Sequence, residues 1–543
     1  MKLKSDDTKS YSMNETLINL EETQPQTDFD KKFEEYIQKE VKTRSDTLNI
    51  FCSFAFDFTK KFLPVSTVYL IYIMINVINI LFVAHSEFSK SNKELIYAVN
   101  LGLSLYYMFG ISLCFGISSS LDTFCTNSYG AKLYYLMGCY LNRALVIMTL
   151  LYIPTALGMF FLKDILYALG QDEQVAIHAG NFIRGMLPGM LFFYWSDSCR
   201  RFLQAQGVFV PTIFIVIFTS LLHPLWVYLF FNVLEMGAFG NGLACSVTNI
   251  LNFCLMVFVI RRWTVPDSLF LPNKDAFVGW REFFSLALPS MLMICLETWN
   301  YQIINFMVGY LKVTEEENTN SYLISFSSII YMVPFGLSVA SSNVLGRLVG
   351  DFSPRKAEYA TRFIIVLCLI ISSFIFLLLV ILKDYVPFMY TRDVVEVELM
   401  RKYLWVYIIY EFIEILTTSY AGIYRGLGMQ AIIALANFVC YYLISIPLTI
   451  LLTFYFEMKL DGVWTAYVIS ISSLIIFYFV IHTKKVDYYK ICKEANKRLS
   501  RDSFVISQRK DIDADSFLDK SLDDSVSESS GFSRRGTKPN GIN

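Results

Sequence analysis

The chain has 543 residues, 55% of them hydrophobic and 17% charged, and a mean hydropathy of +0.46, values that exclude a soluble domain of this size and fit a multi-pass membrane protein. Its formal net charge of −1 is spread over two tails and short patches between apolar runs, so no basic face points to nucleic acid. The 11 cysteines lie mostly inside apolar runs without a CxxC pair, which favours small core residues over a disulfide framework or a metal site; neither a metal nor a cofactor is expected.

Up to about Arg44 the chain is rich in Lys, Asp, Glu, Ser and Thr and too poor in apolar residues to bury a core. Residues 1–55 are therefore expected to form a disordered cytoplasmic tail, with no basic region followed by an apolar stretch of the kind a cleavable signal needs. From about Phe62 apolar segments follow one another, each about 18 to 25 residues long, the length a helix needs to cross about 30 Å of hydrocarbon. Spans are expected to begin near Phe62, Leu95, Asn142, Gly180, Pro211 and Gly240, and again near Phe283, Ser321, Thr361, Leu399, Gln430 and Gly462. The fold expected is an all-α integral membrane protein of about twelve transmembrane helices in two pseudosymmetric six-helix lobes, residues 56–262 and 283–483, joined by a cytoplasmic linker at 263–282.

Orientation follows from the bases in the short connections, which stay in the cytoplasm. Lys132 and Arg143, Arg200 and Arg201, Arg261 and Arg262, Lys274 and Arg281, and Arg347, Arg355, Lys356 and Arg362 all follow even-numbered spans. An odd-numbered span is followed by Glu315, Glu316 and Glu317, so both termini are expected in the cytoplasm. Beyond about Val480 a basic stretch reads as a helix at the membrane surface, and the Ser/Asp-rich remainder of 484–543 as disordered and open to phosphorylation.

The two halves echo each other. GISSSLDTFCTNSYGAKLYY, with Gly130, is matched by SVASSNVLGRLVGDFSPRK, with Gly350; RFLQAQG is matched by YRGLGMQ, and HPLWVYLFF by IPLTILLTF. The shared offset of about 220 residues implies a parallel repeat with a cavity between the lobes.

Acids inside apolar runs mark working sites, since a charge at the centre of a spanning helix costs roughly 2.5 to 3.5 kcal/mol. Glu297 is the one acid in LPSMLMICLETWNYQIINFMVGYL, Leu288 to Leu311. It can bind a proton or, when ionised, a cation, and that competition is itself a coupling device; the alternative is an acid hydrogen-bonded to neighbouring helices. Glu411 and Glu414 stand three apart on one helix face in YIIYEFIEILTTSYAGIYRG. Trp299, Asn300, Tyr301 and Gln302 follow Glu297, and Tyr331, Tyr407, Tyr410 and Tyr420 lie in facing spans, where aromatic faces would suit organic cations at about 0.5 to 2 kcal/mol each, or simply pack. In the first half Asn76 and Asn79 are polar positions of the first span; Asp122 is expected to pair with Lys132 or Arg143, and Asp197 with Arg200 and Arg201. His85, His178, His223 and His482 are isolated, with no HxxxH or DDxxD pattern, so an enzyme is not expected.

FVAH, LDTFCTNSYGAKLYYLMGCYLNRA, RFLQAQGVFVP, the Glu297 segment, VPFGLSVASSNVLGRLVGDFSPRKAEYA, YRGLGMQ and YYLISIPL, in this order and spacing from about Phe62 to His482, resemble the multidrug and toxic compound extrusion transporters, the MATE family of the MOP superfamily, in its eukaryotic branch. The resemblance implies a secondary antiporter that exports organic cations or amphipathic molecules in exchange for protons or sodium by alternating access, a monomer in the lipid bilayer of the plasma or vacuolar membrane. It implies that Glu297 matches the seventh-helix acid of eukaryotic members and Glu414 the tenth-helix acid, with Glu411 beside it. Trp299, Asn300, Tyr301, Gln302, Tyr331, Asn76 and Asn79 are the positions expected at the substrate. Where some animal relatives carry a second acid this chain has Gln302, which cannot titrate, and where some bacterial relatives carry a first-helix acid it has asparagines, so coupling is expected in the second half. A lipid-linked oligosaccharide flippase of the same superfamily and a passive channel are the alternatives.

Overall fold

A computed structural model describes residues 44–85, 94–311 and 313–507. The chain divides into two units, Met1–Thr59 and Lys60–Asn543; the described part of the first is helical, and the second carries the rest of the architecture.

Every regular element among the described residues is a helix. In chain order the long ones are α1 (Arg44–His85), α2 (Leu95–Gly130), α3 (Tyr134–Phe160), α4 (Glu173–Ala205), α5 (Val210–Val233), α6 (Gly237–Trp263), α7 (Trp280–Leu311), α8 (Glu315–Gly350), α9 (Pro354–Leu382), α10 (Val394–Gly426), α11 (Gln430–Tyr455) and α12 (Lys459–Lys485). A further helix, α13, covers 488–507. Eleven of the first twelve are long and apolar enough to cross a membrane. The exception, α4, has the length, at 33 residues, but carries Arg184, Asp197, Arg200 and Arg201. It lies backbone to backbone against α6, where a Cβ on Gly242 would stand 2.0 Å from the Phe182 carbonyl oxygen. Small residues permit that approach, the usual means by which helices associate in lipid.

Local signals set the helix ends. The Asp172 carboxylate accepts from the Gln174 and Val175 amides at the start of α4, and Asp393 accepts from Val395 and Glu396 at the start of α10. The triplet Glu315, Glu316 and Glu317 opens α8, where acids favour the helix dipole. Wider π-helical turns interrupt α2 at Tyr107–Ile111, α5 at Tyr228–Val233 and α11 at Phe438–Ser445 and Leu451–Tyr455.

Two expectations need correction, the tail and the surface helix after α12, and the linker gains a definite place. Residues 44–55, assigned to the tail, are helical, because LNIFCSFAFDF is mostly apolar or aromatic and has no breaker before Pro64; residues 1–43 lie outside the described set. The linker at 263–282 is pinned to α3: Phe270 stacks on Tyr135 with ring centres 4.6 Å apart, and the Tyr135 hydroxyl donates to Asp275 at 2.6 Å. The basic segment after α12 packs on the protein. Cys492, Leu499 and Ile506 of α13 are buried, the Tyr140 hydroxyl donates to Asp502 at 2.6 Å, Arg501 pairs with Glu282 at 3.3 Å, and the Asn496 amide donates to the Val349 carbonyl at 3.3 Å. The Ser/Asp-rich sequence beyond 507 lies outside the described residues.

Each glycine that marked the repeat meets the backbone of the other half. A Cβ on Gly130 of α2 would fall 2.1 Å from the Arg347 carbonyl oxygen of α8, and one on Gly350 of α8 would fall 2.0 Å from the Asn127 carbonyl oxygen of α2. This reciprocal contact brings the ends of α2 and α8 together, and with them the ends of α4 and α10.

Candidate functional site

Three helices converge on the second-half acids. Glu297 of α7 is half-buried and accepts a 2.9 Å hydrogen bond from the Tyr331 hydroxyl of α8. Glu411 and Glu414, one turn apart on α10, are 0% and 3% exposed. The Tyr407 hydroxyl donates to Glu411 Oε2 at 2.8 Å, while Glu411 Oε1 and Glu414 Oε2 have no hydrogen-bond partner. Glu414 feels the charges of both Glu411 and Glu297, so the three form one electrostatic unit. In a low-dielectric site three carboxylates cannot all be ionised without a cation among them.

Aromatic groups enclose that unit. Tyr301 of α7 shares a 3.0 Å hydroxyl contact with Tyr410 and stacks on Tyr467 of α12 with ring centres 5.2 Å apart; Trp464 stands edge-on to Tyr407 and Tyr410 at 6.0 and 6.2 Å. Tyr441 of α11 and Tyr478 of α12 also sense the Glu297 charge. The chemistry on offer is proton or cation binding within a ring of π-faces and hydroxyls.

Below this unit lies a buried ion cluster that joins the two halves. Asp122 of α2 pairs with Arg201 of α4 at 2.5 Å and stands 3.8 Å from Arg425 of α10; Asp197 pairs with Arg201 at 3.0 Å and with Arg200, and accepts from the Ser118 hydroxyl. Arg200 also reaches the Tyr69 hydroxyl at 2.9 Å, and Arg425 reaches the Ser338 hydroxyl of α8 at 2.5 Å. All five charged groups are at most 3% exposed. Asp197 finds the partners expected of it. Asp122 does not pair with Lys132 or Arg143, because the close α2–α8 contact turns it inward, toward residues 79 and 303 positions away in sequence.

The first-half asparagines belong to another network. Asn79 Oδ1 lies 2.9 Å from His223 Nε2, His223 Nδ1 lies 2.9 Å from the Thr248 hydroxyl, and the Asn79 amide nitrogen meets Cys245 Sγ at 3.1 Å. Asn76 donates to the Tyr107 hydroxyl at 2.6 Å.

A model of the MatE family matches the chain twice, at residues 64–229 and 289–451, the two halves in the same order. The chain belongs to the MatE family. It is thus a membrane transporter of that family and not an enzyme. Among relatives of this MatE chain, Protein DETOXIFICATION 16 of Arabidopsis thaliana is 29% identical over 447 residues, covering 81% of this chain and 90% of the relative. Multidrug and toxin extrusion protein 1 of Homo sapiens is 26% identical over 435 residues, covering 80% and 75%. The crystal structure of the eukaryotic MATE transporter AtDTX14 shares the fold with a TM-score of 0.78 at 24% identity, covering 82% of this chain and 99% of that one.

Within the MatE fold the expected site residues separate. Glu297, Glu414, Glu411, Tyr301 and Tyr331 come together. Trp299 turns toward α2, its indole nitrogen donating to the Met108 carbonyl at 2.8 Å. Asn300 is buried with neither amide atom partnered, and Gln302 is half-buried. Asn76 and Asn79 stay in the first-half network. Sequence reasoning missed Arg425 as part of the site, although it stands in YRGLGMQ eleven residues, three helical turns, after Glu414. It also missed the His223 network, since the three helices that supply it give no pattern in sequence.

Proposed function

We propose that this chain exports organic cations or amphipathic molecules in exchange for protons by alternating access, with Glu297 and Glu414 as the exchange site and Glu411 as an accessory proton carrier. The observation that carries this reading is the set of three acids on α7 and α10, two of them buried with a carboxylate oxygen unpartnered, inside a ring of tyrosines. An ionised acid there attracts a cation, and a protonated one releases it. Tyr301, Tyr331, Asn300 and Gln302 would line the path, with Trp299, Asn76 and Asn79 toward the first half. The two lobes, 56–262 and 283–483, would move against each other in the plasma or vacuolar membrane with both termini in the cytoplasm. The names of the relatives, multidrug and toxin extrusion proteins among them, agree with such substrates.

The test is uptake of ethidium into proteoliposomes under an imposed pH gradient, outside medium alkaline. Wild type accumulates the dye and Glu297→Gln does not; equal accumulation by both removes Glu297 from the mechanism. Replacing the pH gradient by a sodium gradient separates proton from sodium coupling, and flux that never exceeds equilibration identifies a channel. The flippase reading fits less well, because the buried arginines Arg200 and Arg201 are already paired with aspartates.

A further inference from the structure

Beside the glycine contacts and the ion cluster, two further links cross between the halves. Arg347 of α8 donates through Nε to the Ala205 carbonyl at 3.0 Å and through Nη2 to the Gln204 carbonyl at 3.4 Å, so an arginine of the second half caps the last turn of α4 in the first. The other link is α13, which reaches from one half to the other over the same junction. Only Val486 and Asp487 separate it from α12, and the Asp487 carboxylate already accepts from the Lys490 amide at 3.1 Å. Two residues span about 7 Å at most, so the start of α13 is tethered closely to the second half. There Tyr489 meets Phe352 edge-on with ring centres 5.8 Å apart, and the Asn496 amide donates to the Val349 carbonyl at 3.3 Å.

From Arg498 onward the same helix belongs to the first half. The Arg498 guanidinium lies over the Phe124 ring of α2, 5.4 Å from its centre, and Leu499 and Ile506, 1% and 5% exposed, join the core of Phe124, Tyr140 and Phe202. The Tyr140 hydroxyl of α3 donates to Asp502 at 2.6 Å. Arg501 pairs with Glu282 where α7 starts, beside Phe283 of that same core. At 1.5 Å per residue α13 is a rod about 30 Å long, fixed at both ends, and a helix cannot stretch. The two halves therefore cannot part on this side unless one end of it lets go. The tether to the second half is covalent, so the end that lets go is the one docked on the first.

We propose that α13 is a strap that holds the halves closed on the side of the basic loops and undocks from the first half each time they part there, which slows opening toward the cytoplasm. This rests on the reading of transport as movement of the two halves against each other. Undocking uncovers Leu499, Ile506 and the core they complete, and docking buries them again, so the strap favours the closed junction by apolar burial. It does so without touching Glu297, Glu411 or Glu414.

The test is alkylation of Thr126→Cys by N-ethylmaleimide in nanodiscs, read at that residue by peptide mass spectrometry because the chain has 11 cysteines of its own. Thr126 is 0% exposed and lies against Gly346 of α8, where an added Cβ would stand 2.0 Å from the threonine hydroxyl. Its hydroxyl bonds only to the Asp122 and Thr123 carbonyls of its own helix, so the substitution breaks no bond between the halves. In one variant of this parent, about ten Gly and Ser residues inserted after Lys485, with Tyr489→Ala and Asn496→Ala, slacken the strap and leave its first-half docking intact. In another, Leu499→Ser with Ile506→Ser undocks it. Both are expected to be alkylated about tenfold faster than the parent, the slackened chain while melting where the parent does. A slackened chain alkylated at the parent rate, or faster only with a lowered melting temperature, overturns the proposal, since a helix that merely completes the core works equally well on a loose tether. If Thr126→Cys is never alkylated, in the parent during ethidium transport or in either variant, the movement of the halves itself is overturned, an outcome distinct from failure of the strap.

Discussion

Two buried polar clusters, one in each half of the chain, stand in opposite conditions. In the first half, Asn79, His223, Thr248 and Cys245 bond one another without a single acid. In the second, Glu411 and Glu414 are equally buried yet each leaves a carboxylate oxygen without a partner. A satisfied polar network holds helices in register, whereas an unsatisfied acid is unstable until a proton or cation arrives, which is what a carrier requires. On the proposed reading the repeat visible in sequence has divided its labour, one copy of the architecture serving as frame and the other as exchange site.

The comparison can be broken most sharply at Glu414. Glu414→Gln is expected to lower gradient-driven ethidium accumulation tenfold or more, about 1.4 kcal/mol or above, with no loss of thermal stability. His223→Ala should do the reverse: it orphans the Asn79 carbonyl oxygen and takes one of the two partners of Thr248, costing about 1 to 3 kcal/mol of stability, and leaves the pH dependence of transport where it was. If both variants lose transport and keep stability, the distinction between frame and exchange site is wrong. Where the halves touch, Gly350→Ala drives a methyl group into the Asn127 carbonyl and should destabilise by about 1 to 3 kcal/mol, whereas Gly158→Ala, with open space around it, should melt like wild type. The smallest effect is expected at α13. Burial holds the Asp502 carboxyl above the ordinary aspartate range, against the Tyr140 hydrogen bond and Arg143, which lower it, and with Glu282 adding to the rise. The docked helix therefore binds a proton more tightly than the free one, so docking is strongest at low pH and weakens as pH rises through the docked value. Hydrogen-exchange protection factors in 488–507, the rates divided into those of the free peptide at the same pH, should fall with rising pH, and Asp502→Asn should flatten that trend; a slope unchanged by the substitution assigns it elsewhere.

Much of this was legible in the chain. Apolar run length gave the spans to within several residues at most positions, because lipid permits little besides a continuous helix. Glu297 and Glu414 stood out since acids are scarce in such runs, and Gly130 and Gly350 since a shared offset repeats their setting. What stayed hidden depended on three-dimensional adjacency. Asp122 had two basic neighbours close in sequence and took partners from α4 and α10. Trp299 adjoins Glu297 by two residues but, at about 100° per residue, points to a different face and bonds α2. The fourth span, expected near Gly180, is α4 from Glu173; what its sequence did not show is that Asp197, Arg200 and Arg201 are all buried among other helices.

Leu499 and Ile506 of α13 belong to the same apolar core as Phe124, Tyr140 and Phe202, residues of α2, α3 and α4. The order of synthesis therefore matters. The ribosome finishes α6 near Trp263, yet that core lacks two of its members until some 240 residues more have been made, roughly 10 to 50 s at ordinary elongation rates. During that interval the first half stands in the membrane with a vacancy on its core, and closure of that core waits on a segment made after the whole second half.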